Sequence, residues 1–251
     1  MTTRRFAYRC PSFIYPGGKA KLAKRLLSYL EPREVFVDVF GGRGNVLFRA
    51  MYDGYPARKW WINDLATAKF FRALRDIDVR TLEGLQITRA YAQRVHQLRE
   101  DDPIRIVLEP CLTFSGMGWT HVIGTAAARS GKVSYATSTI HNIMAAKLFL
   151  QRVKITEMDS FELLESLDAN HCVFLDPPYV GCDPGSYDTN FDWECLCKIL
   201  VKVKYPWVLT EYAKDLYSKY LGPPTHEIGV KCFMQGGTNR PSRTECVWVR
   251  K

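Results

Sequence analysis

An aspartate, two prolines and a tyrosine, Asp176-Pro177-Pro178-Tyr179, close the apolar run His171 to Leu175. A carboxylate beside a backbone carbonyl held by two prolines gives two hydrogen-bond acceptors whose directions are set before any ligand arrives. An exocyclic amine on a nucleobase suits such a pair. Its lone pair is delocalised into the ring, so it is a poor nucleophile. Two acceptors taking its two N–H groups hold the nitrogen toward tetrahedral geometry and aim the lone pair at an electrophilic carbon. Tyr179 supplies a face on which a base removed from a helix can stack. A strand-end aspartate followed by a rigid loop and a core tyrosine is the purely structural alternative.

Three further clusters sit at the ends of β-rich runs. In FVDVFGGRGNVL (36 to 47) a strand delivers Asp38, and Phe40, Gly41, Gly42 and Gly44 form a tight turn into a helix. Glycines there let the backbone approach a ligand closely, and a helix start offers free N–H groups. The turn is not a full G-x-G-x-x-G and is weak evidence taken alone. Asn63-Asp64 ends the next run, with the acid 20 residues beyond Gly44. Such a carboxylate bonds ribose hydroxyls in dinucleotide-type sites, or else caps the helix that follows. Asp159-Ser160-Phe161 ends a third run. Ser160 reads as a helix cap, while Asp159 could reach the amino group of an adenine and Phe161 could lie against its ring.

These clusters need a scaffold that brings strand ends to one edge. Runs of strand character fall at 34 to 40, 59 to 64, 152 to 159, 171 to 176, 205 to 212, 226 to 234 and 244 to 250. Helical patterns separate the earlier ones, among them 19 to 30, with leucines at 22, 26, 27 and 30. Alternation of this kind implies βαβ units and a mostly parallel sheet, which binds ligands outside the carboxyl ends of its strands. The last two runs are joined by too short a link for a crossover helix and are expected to pair antiparallel. Residues 69 to 150 break the alternation. They read as an inserted unit of helices followed by a Gly/Ser/Thr-rich stretch with β character (112 to 140). Arg89, Arg94, Arg99, Arg105, Trp119, Arg129, Lys132 and Tyr135 suggest an exposed basic and aromatic surface there; a helical lid is the plainer reading.

Composition narrows the class. The 251 residues suit one α/β domain with an insertion, or two small domains, and 47% hydrophobic with 24% charged residues is ordinary for a globular chain. A formal charge of +9 favours a polyanionic partner, most simply nucleic acid. None of the eight cysteines forms a C-x-x-C pair and no His/Cys group has zinc spacing, so no metal site is expected. No apolar run reaches the roughly 18 residues of a membrane span. With no leader-like N-terminus, a reducing cytoplasm is the expected compartment.

Taken in chain order, FIYPGGKAKL (13 to 22), DVFGGRGNV (38 to 46), IND (62 to 64), DPPY (176 to 179), Tyr187 to Phe191 and the terminal RTECVWVR closely resemble the Dam-type DNA adenine-N6 methyltransferases. The resemblance covers 10 to 68 and 152 to 251 and is poor across 69 to 150. It implies a Rossmann-like, S-adenosylmethionine-dependent methyltransferase sheet, mostly parallel with one antiparallel strand near the C-terminus. The catalytic domain would be 1–68 with 151–251, and 69–150 the inserted target-recognition region. It implies S-adenosylmethionine as methyl donor and double-stranded DNA as partner. Tyr15, Gly17, Gly18 and Lys19 would pack on or near the donor. Asp38, Phe40 and Gly42 would surround its methionine part, with Gly41 and Gly44 in the same donor site, Asp64 would hold the ribose, and Asp159 with Phe161 the adenine. Asp176, Pro177, Pro178 and Tyr179 would hold the target base, and the loop from Val180 to Phe191 would close over it. Relatives often carry a smaller residue in place of Arg43. Alternatives are the same chemistry on RNA adenine or on the exocyclic amine of cytosine, and a non-catalytic DNA-binding protein on this fold.

Overall fold

The computed structural model describes residues 9–13, 15, 17–82, 89–112, 134–180, 191–212, 214–231 and 242–251. Trp119, Arg129, Lys132 and the loop from Gly181 to Asn190 lie outside the described residues, as do the side chains of Arg89 and Tyr135. The chain runs α1 (Ala23–Leu27), β1 (Val35–Asp38), α2 (Asn45–Tyr52), β2 (Lys59–Asn63), α3 (Ala68–Asp76), a 3-10 turn (Val79–Leu82), α4 (Arg89–Gln97), α5 (Pro103–Leu112), α6 (Ser134–Leu150), β3 (Val153–Thr156), α7 (Ser160–Ser166), β4 (His171–Leu175), α8 (Trp193–Lys202), β5 (Trp207–Glu211), α9 (Lys214–Leu221), β6 (His226–Lys231) and β7 (Ser242–Arg250).

The described strands form one seven-stranded sheet in the order β3-β2-β1-β4-β5-β7-β6. The first five in that order are mutually parallel, while β7 runs antiparallel to both β5 and β6. This is the mostly parallel, Rossmann-like sheet with one reversed strand that the sequence leads one to expect. The sequence does not disclose that β7, last in the chain, slots between β5 and β6. That placement brings the start of β7 to the same edge as the carboxyl ends of the parallel strands.

Strand alternation divides the core in two. Phe36, Ile62, Phe174, Val208 and Val247 face one side, where α1 to α6 cover them through Leu26, Phe48, Phe70, Val95, Leu108 and Ile143. Val37, Val173, Leu175, Leu209 and Trp248 face the other, under Leu163, Leu196, Leu200 and Tyr217 of α7 to α9. Each fully buried side chain of this size contributes about 1.5–3 kcal/mol. The helices after α3 therefore lie on the same face of the sheet as α1 and α2, up to α6.

Two local expectations change. The helix expected over 19 to 30 is regular only from Ala23 to Leu27. Its flanks are tight turns, with Leu22 N–H donating to Lys19 O and Leu30 N–H to Leu27 O. The β character read into 112 to 140 does not hold for its described end, since Ser134 to Ile140 open the long helix α6. β-branched and Ser/Thr-rich composition favoured a strand, but Ile143, Ala146 and Leu150 recur at helical spacing and bury against the first core. Tertiary burial decides the outcome there. Among the described residues, no helix is long and apolar enough to cross a membrane.

Candidate active site

The glycine turn after β1 is built by close approach. Gly41 N–H donates to Asn63 O at 2.9 Å, and a Cβ on Gly41 would stand 2.5 Å from Ile62 Cγ1. Gly42 (φ +52°) and Gly44 (φ +72°) occupy the left-handed region, where side chains strain the backbone. The turn ends on Asn45, whose Nδ2 donates to Phe13 O at 2.9 Å while its Oδ1 accepts from Phe13 N–H at 3.1 Å. This two-way clamp lays the N-terminal segment across the turn, with the Tyr15 ring 3.2 Å from where a Cβ on Gly42 would be.

Asp38 faces the same side of the sheet as Phe36, is 2% exposed, and its Oδ1 has no partner among the described residues. Burial, with the Asp176 and Asp64 carboxylates nearby, pushes its carboxyl well above the usual range; the Leu47 N–H opposes this. An ionised carboxylate in that position is costly without a cation or a set of donors. Asp64 follows β2 and is committed locally: Oδ1 accepts from Ala66 N–H and Thr67 N–H, and Oδ2 from Gly42 N–H, each at 2.8 Å. It therefore joins the start of α3 to the glycine turn. Asn63 is a strap, donating to Val39 O and Met158 O and accepting from Thr156 Oγ1 and Met158 N–H, which ties together the ends of β1, β2 and β3.

Asp159, and not Ser160, caps α7, with Oδ1 accepting from Phe161 N–H and Glu162 N–H. Ser160 is the first residue of the helix and is buried. Phe161 belongs to an aromatic group at this edge, 5.3 Å from the Phe191 ring centroid; Phe191 in turn lies 5.6 Å from Phe40 and 5.9 Å from Trp193.

Asp176 lies two residues past Phe174, the register partner of Asp38 on the neighbouring strand. Lys19 Nζ stands 2.8 Å from Asp176 Oδ1 and donates to Oδ2 at 3.0 Å. It also donates to Gly17 O at 2.8 Å and lies 4.7 Å from the Tyr179 ring centroid. Thr210 Oγ1 of β5 donates to Asp176 Oδ1 at 3.0 Å. Trp193 Nε1 donates to Pro178 O at 2.7 Å, so that carbonyl is engaged, while the Pro177 carbonyl has no donor among the described residues. Tyr179 hydroxyl donates to Glu245 Oε1, and its ring meets Tyr212 edge-on at 4.6 Å. Burial raises the Tyr179 hydroxyl well above its ordinary range, reinforced by the Asp176 and Glu245 charges, so it stays a protonated donor.

Alternation explains the convergence. Asp38, Asp64, Thr210 and Glu245 have the parity of Phe36, Ile62, Val208 and Val247, and all point to the face over which Asn45 lays the N-terminal segment. Asp38, Asp176, Tyr179, Lys19 and the glycine turn thus come together. Asp159 and Phe161 stand two strands away on the other side of Asn63. Lys19, expected near the donor, is found on Asp176. Thr210, Trp193, Asn45 and Glu245 received no role from sequence. Glu245 and Asn45 lie in segments that carry the resemblance, RTECVWVR and DVFGGRGNV, while Thr210 and Trp193 carried no signal. The Arg43 guanidinium lies over the Phe70 ring at 4.4 Å and the Tyr15 ring at 5.3 Å, with Nε lacking a partner among the described residues.

No protein-family model and no curated protein matches the chain. Among solved structures it is similar to the rRNA methyltransferase AviRa from Streptomyces viridochromogenes, at 14% identity over 94% of this chain and 86% of that one, with a TM-score of 0.43. It is also similar to a putative methyltransferase from Streptococcus mutans in complex with SAH, at 10% identity, 91% and 95% coverage, and a TM-score of 0.37. A third is an rRNA methylase from Streptococcus thermophilus, at 12% identity, 91% and 93% coverage, and a TM-score of 0.36.

Proposed function

We propose that the chain is an S-adenosylmethionine-dependent methyltransferase acting on the exocyclic amine of adenine in double-stranded DNA. The observation that carries this reading is the pair of acceptors after β4. The Asp176 carboxylate and the Pro177 carbonyl follow the strand paired with β1, whose buried Asp38 Oδ1 has no partner among the described residues.

The residues fit the donor on chemical grounds. The orphaned Asp38 oxygen suits an ammonium, such as that of the donor's methionine part. Asp64 spends three acceptor positions on backbone N–H groups, and an ionised carboxylate offers about four. One therefore remains on Oδ2 for a ribose hydroxyl. Asp159 uses Oδ1 for its cap and keeps Oδ2 for an amine, beside the Phe161 ring. Three carboxylates (Asp38, Asp64 and Asp176) against Lys19 and Arg43 make an edge that suits a cationic ligand. S-adenosylmethionine, when bound, supplies an electrophilic methyl carbon on a sulfonium.

The chain's own contribution is to hold the acceptor. Asp176 Oδ2 takes one N–H of the amine and the Pro177 carbonyl the other, with Tyr179 against the base. With the donor held by Asp38, Asp64 and Asp159, the clamped nitrogen would take its methyl carbon, and the sulfur would keep the bonding pair and leave as a neutral thioether. The proton that the nitrogen then loses leaves along its hydrogen bond to Asp176. Trp193 holds the Pro178 carbonyl away, which fixes the loop and leaves Pro177 as the acceptor. The reading of adenine rests on aspartate before Pro-Pro, and that of DNA on the family resemblance and on the +9 charge, which suits phosphate contacts.

The test is methyl transfer from labelled donor to unmethylated duplex DNA, to RNA and with no acceptor. Label in adenine of DNA is expected. Label only in RNA would overturn the substrate, and donor and DNA both bound with no transfer would leave a binding module.

A further inference from the structure

Glu245 is a carboxylate with 1% exposure inside β7, and neither the amine clamp nor the donor pocket uses it. It accepts from the Tyr179 hydroxyl and stands 3.7 Å from Lys19 Nζ. The same ammonium sits on Asp176, with both carboxylate oxygens within 3.0 Å. This arrangement poses a problem for the amine clamp. Asp176 Oδ1 already serves Lys19 and Thr210, and Oδ2 serves Lys19. A neutral N–H competes poorly for a carboxylate held by a cation, since charge-assisted bonds are roughly twice as strong.

We propose that Glu245 is a positioning residue for methyl transfer: it anchors the Tyr179 hydroxyl and offers Lys19 a second acceptor, so that the ammonium moves off Asp176 when the target amine arrives. The displacement is small, from 3.7 Å to an ordinary charge-assisted distance of about 2.8 Å. Anchoring through Tyr179 couples the two events, because the ring that the base contacts is fixed by the carboxylate that receives the ammonium. The proposal rests on the methyltransfer reading above.

Several other charged and titratable groups surround Glu245. Lys19 comes from the N-terminal segment, Asp176 and Tyr179 from the turn after β4, and Tyr212 from beyond β5. Glu211 of β5 and Glu227 of β6 both pair with Cys246, the next residue in β7. Glu227 is held by Lys214, and Arg243 lies over the Tyr212 ring. Burial raises the Glu245 carboxyl above its ordinary range, and Lys19 opposes this. Glu245 therefore loses its charge at a higher pH than an exposed glutamate does.

Glu245→Gln keeps the shape and an acceptor for Tyr179 but removes the charge that draws Lys19. At pH 8 its kcat is expected to fall about 10- to 100-fold, as for a misplaced reacting group, with little change in donor KM. Protonation of Glu245 turns the wild type into an equivalent of the variant. The ratio of wild-type to variant kcat should thus shrink toward one as pH falls. A ratio that stays constant across pH would assign Glu245 a purely structural role and overturn the proposal, as would unchanged kcat. If the Gln variant does not fold, Glu245→Asp carries the test. It should lose rate while keeping the wild-type acid limb, and full wild-type rate would overturn the proposal. Wild-type protein that transfers no label overturns the methyltransfer reading and this role together, whereas active wild type with a pH-independent ratio overturns only this role.

Discussion

Asp38 is where the chemistry of single residues is most exposed to test. Its folded-state carboxyl lies well above the ordinary 3.8 because burial and two nearby carboxylates disfavour the charge. A raised acid destabilises the fold increasingly as pH climbs from its unfolded value toward its folded one. Asp38→Asn should therefore raise the melting temperature of the free protein at pH 8 and change it little near pH 4, as scanning calorimetry would read. The same variant should weaken donor binding about 10- to 100-fold, the worth of a charged hydrogen bond. A cationic ligand draws the proton off Asp38, so binding should release a proton and tighten with rising pH. Titration calorimetry in two buffers of different ionisation heat measures that release, and Asp38→Asn should abolish it. Asp176→Ala is expected to abolish turnover and leave donor binding largely intact. Near-wild-type turnover would remove the proposed clamp.

At the scale of elements, the site depends on how two backbone pieces are fixed together. Asn45 is buried, and its two bonds to Phe13 help hold the segment carrying Tyr15 and Lys19 over the glycine turn, together with Asn142 on Ser12 and Asp176 on Lys19. Asn45→Ala leaves the Phe13 backbone groups unpaired and should cost about 1–3 kcal/mol for each one that stays buried. Urea unfolding would measure this, and activity should fall further than stability because Lys19 loses its aim. Gly44→Ala attacks the same junction from the other side. It places a Cβ at φ +72°, 2.9 Å from the Phe48 ring. The left-handed backbone alone costs roughly 1–2 kcal/mol, and the contact adds to it. Of these features the glycines were legible in the sequence, since only a tight turn explains their spacing. Asn45 was not, because a buried asparagine after a glycine turn reads as one more helix-start residue.

For the whole molecule, the formal +9 charge makes nucleic-acid affinity the property most sensitive to conditions. Binding to duplex DNA should weaken steeply and log-linearly with salt, because each phosphate contact releases counterions. Fluorescence anisotropy between 50 and 200 mM salt, on the order of the usual range for such measurements, would give the slope; a flat profile would remove the phosphate contacts from the reading. The sequence by itself determined the class of fold and the four strand-end clusters, because strand periodicity, turn glycines and Pro-Pro rigidity are local properties of the chain. The same local signals put Asp38, Asp64, Asp159 and Asp176 at strand ends. Only the tertiary structure decided which of these share a pocket. Side-chain parity across β1, β4, β5 and β7 turns Asp38, Thr210 and Glu245 to the face where Asn45 pins the N-terminal segment. Lys19 meets Asp176 across a sequence separation of 157 residues. No local pattern encodes that pairing, because it follows from strand order. The order inserts β7 between β5 and β6 and so carries Glu245 to a tyrosine that it is separated from by 66 residues of chain.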